Sequence, residues 1–401
     1  MANTASVQRK EGPDHLFPCF RRADVAFTHG EGAWLYGADG IRYLDFATGI
    51  AVTGLGHSHP DLVNLLFRQG ARLWHVSNAM RIPEQEALAR LLCETTFADR
   101  VFFCNSGAEA VETAIKTARR FHFVAGAPER YRIATMEGAF HGRTLATIAA
   151  GGREKYLEGF GPPTPGFHVV RFGDIDSLDA ACGPETAAIL LEPIQGESGV
   201  RRLSAEDLAR VRDICNRRGV LLIFDEVQTG IGRTGHLFAY QDAGVAPDLL
   251  ATAKGLGNGF PLGACLATER VAASMTPGTH GSTFGGNPLA MVIAHKVVEI
   301  ISNEAFLKDV RRRAARLFAG LEKIVATYGD VFAEVRGHGF LLGLRCVVPV
   351  EFAATVARAN GLLSVTAGDN VLRLLPPLIL SDAEIDQGLA RLQEVGRSLT
   401  R

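Results

Sequence analysis

Apolar positions along the chain fall into two rhythms. In the first fifty or so residues short strands and turns dominate. Ala33-Trp-Leu-Tyr36 and Arg42-Tyr-Leu-Asp-Phe46 flank the turn Ala38-Asp-Gly40, a β-hairpin signature. From about His59 helical stretches alternate with short apolar runs. These runs predict strands at Val101–Cys104, Arg132–Met136, His168–Val170, Ala187–Leu191, Leu221–Phe224, Leu249–Ala253 and Leu262–Ala267. Between them, Glu109–Phe123 and Ala205–Arg218 carry helical periodicity. Strand–helix alternation with strands apolar on both sides predicts an α/β fold, its mostly parallel central sheet covered on both faces. After Asn287 one long helical pattern is expected to about Ile324, then short strands and a last helix over Asp382–Leu399. There is no internal repeat and no long linker. The expected division is a large domain over 58–286 and a smaller α+β domain built from 287–401 together with the segment 1–57.

Charge narrows the partners. Lys and Arg number 42 against 43 Asp and Glu, so no basic excess exists to neutralise a phosphate backbone, and no nucleic-acid partner is expected. No uninterrupted apolar run reaches the ~18 residues of a membrane helix. The polar stretch Met1–Lys10 lacks the apolar core of a secretory signal and reads as a frayed terminus. The 7 cysteines are widely spaced with no C-x-x-C pair, which argues against disulfides and zinc and for a reducing cytoplasm. His57-x-His59 fits no zinc-helix spacing, so a structural role is expected and no metal site.

Three places carry chemistry. The apolar run Leu221-Leu-Ile-Phe ends in Asp225-Glu226, and ligands of parallel sheets bind beyond the carboxyl ends of strands. Such a carboxylate is either functional or a cap or ion-pair partner. Lys254 ends the run Leu249-Leu-Ala-Thr-Ala and is followed by Gly255-Leu-Gly-Asn-Gly259, with no acid within four residues. An amine emerging from a buried strand has a depressed pKa and serves as nucleophile and base; the bland alternative is a snorkelling lysine at the sheet edge. Ser106-x-x-Glu109, between a strand and a helix, fits a capping box. The same helix start offers free N–H groups and a positive dipole end to a phosphate. Gly230-Ile-Gly232-Arg-Thr-Gly235 matches the dinucleotide fingerprint in form only, because Asp225 to Thr229 separate it from the strand and no acid follows about 20 residues on. An amine, an acid and an anion cradle at three strand ends are what pyridoxal phosphate (PLP) requires.

Six strings carry a resemblance: Phe103-Cys-Asn-Ser-Gly-Ala-Glu-Ala110, Ala139-Phe-His-Gly-Arg-Thr144, Glu192-Pro-Ile-Gln-Gly-Glu197, Phe224-Asp-Glu-Val-Gln-Thr-Gly230, Ala253-Lys-Gly-Leu-Gly-Asn-Gly-Phe-Pro-Leu-Gly263 and Gly281-Ser-Thr-Phe-Gly-Gly-Asn-Pro288. The chain resembles the class III, ornithine-type PLP aminotransferases of fold type I, and within them the bacterial acetylornithine aminotransferases. The likeness runs from about Pro18 to the last helix. It implies a cytoplasmic homodimer with shared active sites that moves the terminal amino group of N2-acetyl-L-ornithine to 2-oxoglutarate, giving glutamate, in arginine biosynthesis.

The resemblance also implies roles. Lys254 would bond the cofactor aldehyde and shuttle the reacting proton. Asp225 would pair with the pyridine nitrogen, with Glu226 counted among the cofactor-binding residues. Val227 and Phe140 would pack on the two ring faces, and Gln228 would lie near the ring hydroxyl. Ser106, Gly107 and Ala108 would bind the phosphate, with Thr283 reaching the phosphate of a neighbouring subunit and Ser282 near the substrate. Arg143 would anchor the substrate α-carboxylate, and Glu197 with Arg373 would form a pair that opens to admit the second carboxylate of glutamate. Ser198, Asn258, Phe284 and Phe20 depart from the family's usual glycine, glycine, tyrosine and tyrosine. Alternative donors are ornithine, succinyl-diaminopimelate, succinylornithine and 4-aminobutyrate; a PLP-binding protein without turnover is the reading from another class.

Overall fold

The computed structural model describes residues 15–400; the stretch Met1–Lys10 lies outside them. The chain opens with two hairpins, β1 (Phe27–Glu31), β2 (Trp34–Gly37) and β3 (Arg42–Asp45), paired antiparallel. The turn between β2 and β3 falls at Ala38–Gly40 as the pattern predicts, with Gly40 at φ +80°, a conformation only glycine adopts freely. The free edge of β3 pairs in parallel with Leu362–Leu363, which ties this segment to the C-terminal part of the chain. Trp34 Nε1 donates to Glu384 Oε1 of the last helix at 2.8 Å and strengthens that tie.

The centre is a seven-stranded sheet. Its strands are β4 (Arg100–Cys104), β5 (Arg132–Met136), β6 (Phe167–Val170), β7 (Thr186–Leu191), β10 (Leu221–Asp225), β11 (Leu249–Thr252) and β12 (Gly263–Ala267), in spatial order β4-β12-β11-β10-β7-β5-β6. A small ribbon, β8 (Ile194–Gln195) with β9 (Arg201–Arg202), follows β7. Only β12 runs against its neighbours. Every residue of β7 and β10 is buried, because helices cover both faces; that is why these strands read as continuous apolar runs rather than alternating ones. The helix Gly107–Val124 buries Ala110, Val111, Ala114, Ile115 and Ala118, small enough to seat it closely on the sheet.

The C-terminal part differs from expectation in one respect. The single long helix predicted after Asn287 is two, Pro288–Ile301 and Glu304–Thr327. Ser302 closes the first and Asn303 caps the second, its Oδ1 accepting the amide of Ala305 at 2.9 Å. Then comes a four-stranded antiparallel sheet, in order Phe332–His338, Leu341–Cys346, Val371–Leu374 and Val365–Ala367. The helix Asp382–Leu399 follows, opened by a Ser381–Glu384 capping box. Five of the seven cysteines are buried and none is bonded to another. Among the described residues no helix is long and apolar enough to cross a membrane.

Candidate active site

Five segments leave the carboxyl ends of β4, β5, β7, β10 and β11, strands that all point the same way. Together they wall a cavity of about 390 Å³ lined by Ser106, Gly107, Ala108, Phe140, Arg143, Glu192, Asp225, Val227, Gln228 and Lys254, with Asn105, His141, Val52 and the turn 259–262 completing it. This is where open parallel sheets collect ligands.

At the end of β4 the chain turns directly into the helix Gly107–Val124. Ser106 caps it, its Oγ accepting the amide of Glu109 at 3.2 Å. The carboxylate of Glu109 reaches back one residue further than a capping box requires, to the amide of Asn105 at 2.5 Å. The amides of Gly107 and Ala108 have no acceptor within the helix and belong to residues that line the cavity, a ready anion cradle. Gly107 is pressed against the opposite wall, where a Cβ would meet Val227 Cγ1 at 2.8 Å.

Asp225 is buried at the last position of β10. Its Oδ1 accepts the amide of Val227 at 3.1 Å and its Oδ2 lies 2.8 Å from His141 Nδ1. Burial opposes a charge on His141, but the hydrogen bond and charge of Asp225, with the charge of Glu192, outweigh it and raise its pKa. The other ring nitrogen, Nε2, is buried without a partner. Glu192 directly follows β7; its Oε2 accepts the amide of Phe140 at 2.9 Å, and burial lifts its pKa to about 7.

Lys254 follows β11 by two residues and opens a single 3₁₀ turn. Its φ of +43° is the left-handed region, which side chains enter only when the surroundings hold them there. Among the described residues its Nζ has no hydrogen bond or ion pair. Burial lowers its pKa, opposed by Glu197, Asp225 and Glu192 and assisted by Arg373. The lowered pKa brings the uncharged form, which a nucleophile needs, within easier reach.

Two arginines are arranged unequally. Arg143 is exposed at the cavity rim, its guanidinium 4.0 Å from the ring centre of Tyr156 and 5.5 Å from that of Phe140. Arg373 is fully buried in the C-terminal sheet, and its Nη1 holds Glu197 Oε1 at 2.6 Å and Gln228 Oε1 at 2.9 Å. Burial alone would raise the pKa of Glu197; the charge and hydrogen bond of Arg373 hold it below the usual value.

Five expected residues are not in the cavity lining: Glu197 and Arg373, which reach it through Gln228, and Ser282, Thr283 and Glu226. Glu226 does not face the cavity: its carboxylate accepts the amides of Ala239 (2.6 Å) and Tyr240 (2.9 Å) and the hydroxyl of Thr229 (3.0 Å). Consecutive side chains of an extended strand point opposite ways, so Asp225 and Glu226 cannot both reach one site. Glu226 is a buried cap outside the cavity lining, with a pKa raised by burial to about 7. Thr283 is exposed and does not line this cavity, while Ser282 Oγ accepts from Asn105 Nδ2 at 3.2 Å. In the other direction, sequence reasoning assigned nothing to His141 or Glu192. Glu192 carries the signal that marked Asp225, an acid closing an apolar strand.

The donor set fits PLP: a free amine, a buried acid, two helix-start amides unpaired among the described residues, and Phe140 and Val227 in the cavity wall. That set marks a PLP-binding site, and the comparisons make it a transaminase. The chain belongs to the class III aminotransferase family, which matches residues 20–395. It is 57% identical to the acetylornithine aminotransferase of Mesorhizobium japonicum over 384 residues, 96% of each chain. The acetylornithine/succinyldiaminopimelate aminotransferase of Yersinia pestis is 43% identical over 406 residues, covering all of both. Among solved structures, the ornithine aminotransferase of Toxoplasma gondii superposes with a TM-score of 0.92 at 31% identity over 96% of this chain and 93% of that one. The N-acetylornithine aminotransferase of Stenotrophomonas maltophilia gives a TM-score of 0.82 at 37% identity over 94% and 97%.

Proposed function

We propose that this enzyme transfers the terminal amino group of N2-acetyl-L-ornithine to 2-oxoglutarate, giving N-acetylglutamate 5-semialdehyde and glutamate, in arginine biosynthesis. The observation that carries the reading is the pair of unequal arginines, one open at the rim and one masked by Glu197. N-acetylornithine reacts at its terminal amine, so its carboxylate lies far from the reacting carbon. Glutamate reacts at the α-carbon and brings a second carboxylate close in. Arg143 suits the distal carboxylate of either, a bidentate task for a guanidinium. Arg373 suits the near carboxylate of glutamate, once Glu197 gives it up.

When bound, PLP supplies an aldehyde that takes up amino groups and a ring that spreads the charge left by a departing proton. Lys254 Nζ would hold the cofactor and carry the proton at the reacting carbon. Asp225 would keep a proton on the ring nitrogen, with His141 orienting that carboxylate. Phe140 and Val227 would pack on the ring, Gln228 would serve its hydroxyl, and Ser106, Gly107 and Ala108 would receive the phosphate. The enzyme works as a homodimer, with Thr283 reaching the phosphate in the partner's site and Ser282 near the substrate. Support comes from the exposed apolar side chains of Phe67, Trp74, Met80 and Phe284. Asn78 binds the carbonyls of Ser282 (3.1 Å) and Gly285 (2.8 Å), so this surface adjoins the loop in question. Seven unpaired cysteines favour the cytoplasm.

The test follows the cofactor absorbance of the loaded protein with each donor in turn. N-acetylornithine is expected to give the highest ratio of rate to affinity over ornithine, succinyl-diaminopimelate, succinylornithine and 4-aminobutyrate; a clear win for another amine removes the substrate assignment. Succinyl-diaminopimelate is the second reading, favoured by the dual name of the Yersinia relative. A second expectation concerns Arg373→Ala. Losing a charge-assisted contact should slow the glutamate half-reaction about 100-fold and the N-acetylornithine half-reaction less than about 5-fold. Equal losses would remove the two-arginine account.

A further inference from the structure

Glu197 sits in the five-residue loop 196–200 between β8 and β9, and the backbone of that loop is fastened on two sides. On the C-terminal side, the amide of Gly368 donates to Glu197 O at 2.9 Å, and Arg336 Nη1 donates to Gly199 O at 3.2 Å. On the side of the central sheet, Ser198 Oγ donates to Gly138 O at 2.5 Å, while Arg153 Nη2 donates to both Ser198 Oγ and Gly138 O. Gly138 has φ +82°, and a Cβ there would meet Ser198 Oγ at 2.6 Å, so the close approach depends on glycine. Two residues further on, Phe140 enters the cavity wall. Ser198 thus joins the residue that masks Arg373 to the segment that carries Phe140, His141 and Arg143. It is also one of the positions where this chain departs from the glycine its relatives were expected to carry. A glycine there supplies no hydroxyl, and Arg153 would have only a carbonyl to bind.

We propose that Ser198, held by Arg153 and Gly138 O, is a positioning residue that keeps Glu197 on Arg373 and so sets how readily the site admits a second carboxylate. With the loop backbone fixed at Glu197 O and at Ser198 Oγ, Glu197 releases Arg373 by side-chain rotation alone. Its carboxylate then stays close enough to Arg373 to compete with an entering carboxylate. Freeing the loop lets the carboxylate withdraw further and lowers that competition. The consequence is selective: ligands with two carboxylates feel the tether, and donors that leave Arg373 masked do not. This rests on the two-arginine reading of the site.

The experiment uses the PLP-loaded enzyme and glutarate, a five-carbon dicarboxylate with no group to transaminate, with its Kd measured by calorimetry. Ser198→Gly is expected to tighten glutarate roughly three- to ten-fold, the factor set by one hydrogen bond. Ser198→Thr, which keeps the hydroxyl, should bind glutarate as the parent does, and the rate and affinity for N-acetylornithine should stay within about two-fold in both. Amide hydrogen exchange across 196–200 should accelerate in the glycine variant only. Glu197→Gln separates the two ideas. If it tightens glutarate while Ser198→Gly does not, the tether is overturned and the masking survives. If neither variant changes glutarate binding, the masking falls and takes the tether with it. An equal shift for glutarate and N-acetylornithine in Ser198→Gly would also overturn the proposal, since it would mean a general loosening of the site.

Discussion

Replacing Lys254 with Ala is expected to slow both half-reactions by at least about 10⁴-fold, because the proposed function gives this one side chain both the cofactor to hold and the proton to carry. That factor is about 5.5 kcal/mol of transition-state stabilisation. Small primary amines added to the variant should restore part of the proton transfer and none of the covalent attachment, which separates the two tasks. The fold should survive, since Lys254 makes no hydrogen bond or ion pair among the described residues and its amine is costly to bury charged. A pH signature follows in the apoprotein. The unfolded chain keeps the Lys254 proton up to the ordinary value of 10.5, whereas the folded chain, in which burial lowers the pKa, gives it up earlier. Between those two values the unfolded state binds more protons, so stability gains with rising pH, and below the folded value that contribution is lost. The Ala variant should lack this increment in denaturant unfolding measured across the window. A loss of less than ten-fold in the half-reactions would take Lys254 out of the chemistry.

The parts of this molecule that local sequence pattern encodes are the parts it made legible. Strands β5, β7 and β10 are buried on both faces, so their residues could be apolar throughout, and their limits were read to within a residue. Asp225 and Lys254 stand out because a charged side chain closing such a strand has no structural need to be there. Local pattern is silent on direction and on long-range pairing. The antiparallel course of β12, the pairing of β3 with Leu362–Leu363 and the tether at Ser198 join residues far apart in the chain. The break at Asn303 was available locally, as a capping residue inside a helical pattern, but the apolar period runs through it and hid it. Glu226 misled because its neighbour Asp225 shares its chemistry; only the pleat distinguishes them, by sending one carboxylate to the cavity and the other to the amides of Ala239 and Tyr240. His141 was hidden for the converse reason, since a histidine in a loop carries no period, and its part is defined by Asp225, a residue 84 positions later.

Replacing Asp225 with Asn should lower the rate about 10²–10³-fold, the range seen when one preorganised charge or dipole is removed from a reacting centre. Asn preserves the shape and can still accept the amide of Val227, so packing at the end of β10 has no reason to change. What is lost is the negative charge, which in the proposed function would keep a proton on the ring nitrogen. His141 reports the loss independently. Its pKa is raised only because the hydrogen bond and charge of Asp225, with Glu192, outweigh burial; without Asp225 the burial prevails and the pKa falls. The amide NH₂ of Asn would also face His141 Nδ1 as a donor, forcing the ring proton to Nε2, which is buried and has no partner to give it to. The His141 signals followed by NMR should therefore titrate at lower pH in the variant, whatever the activity. Coupling can be measured in the same series. If His141 acts through Asp225, then His141→Asn should cost less in the Asp225→Asn background than alone, whereas additive losses would mean that His141 touches the reaction by another route. Should Asp225→Asn keep its rate within ten-fold, the carboxylate would be no more than a structural anchor for His141, and the acid of this site would have to be sought at Glu192, whose pKa of about 7 already leaves it poised to hold a proton.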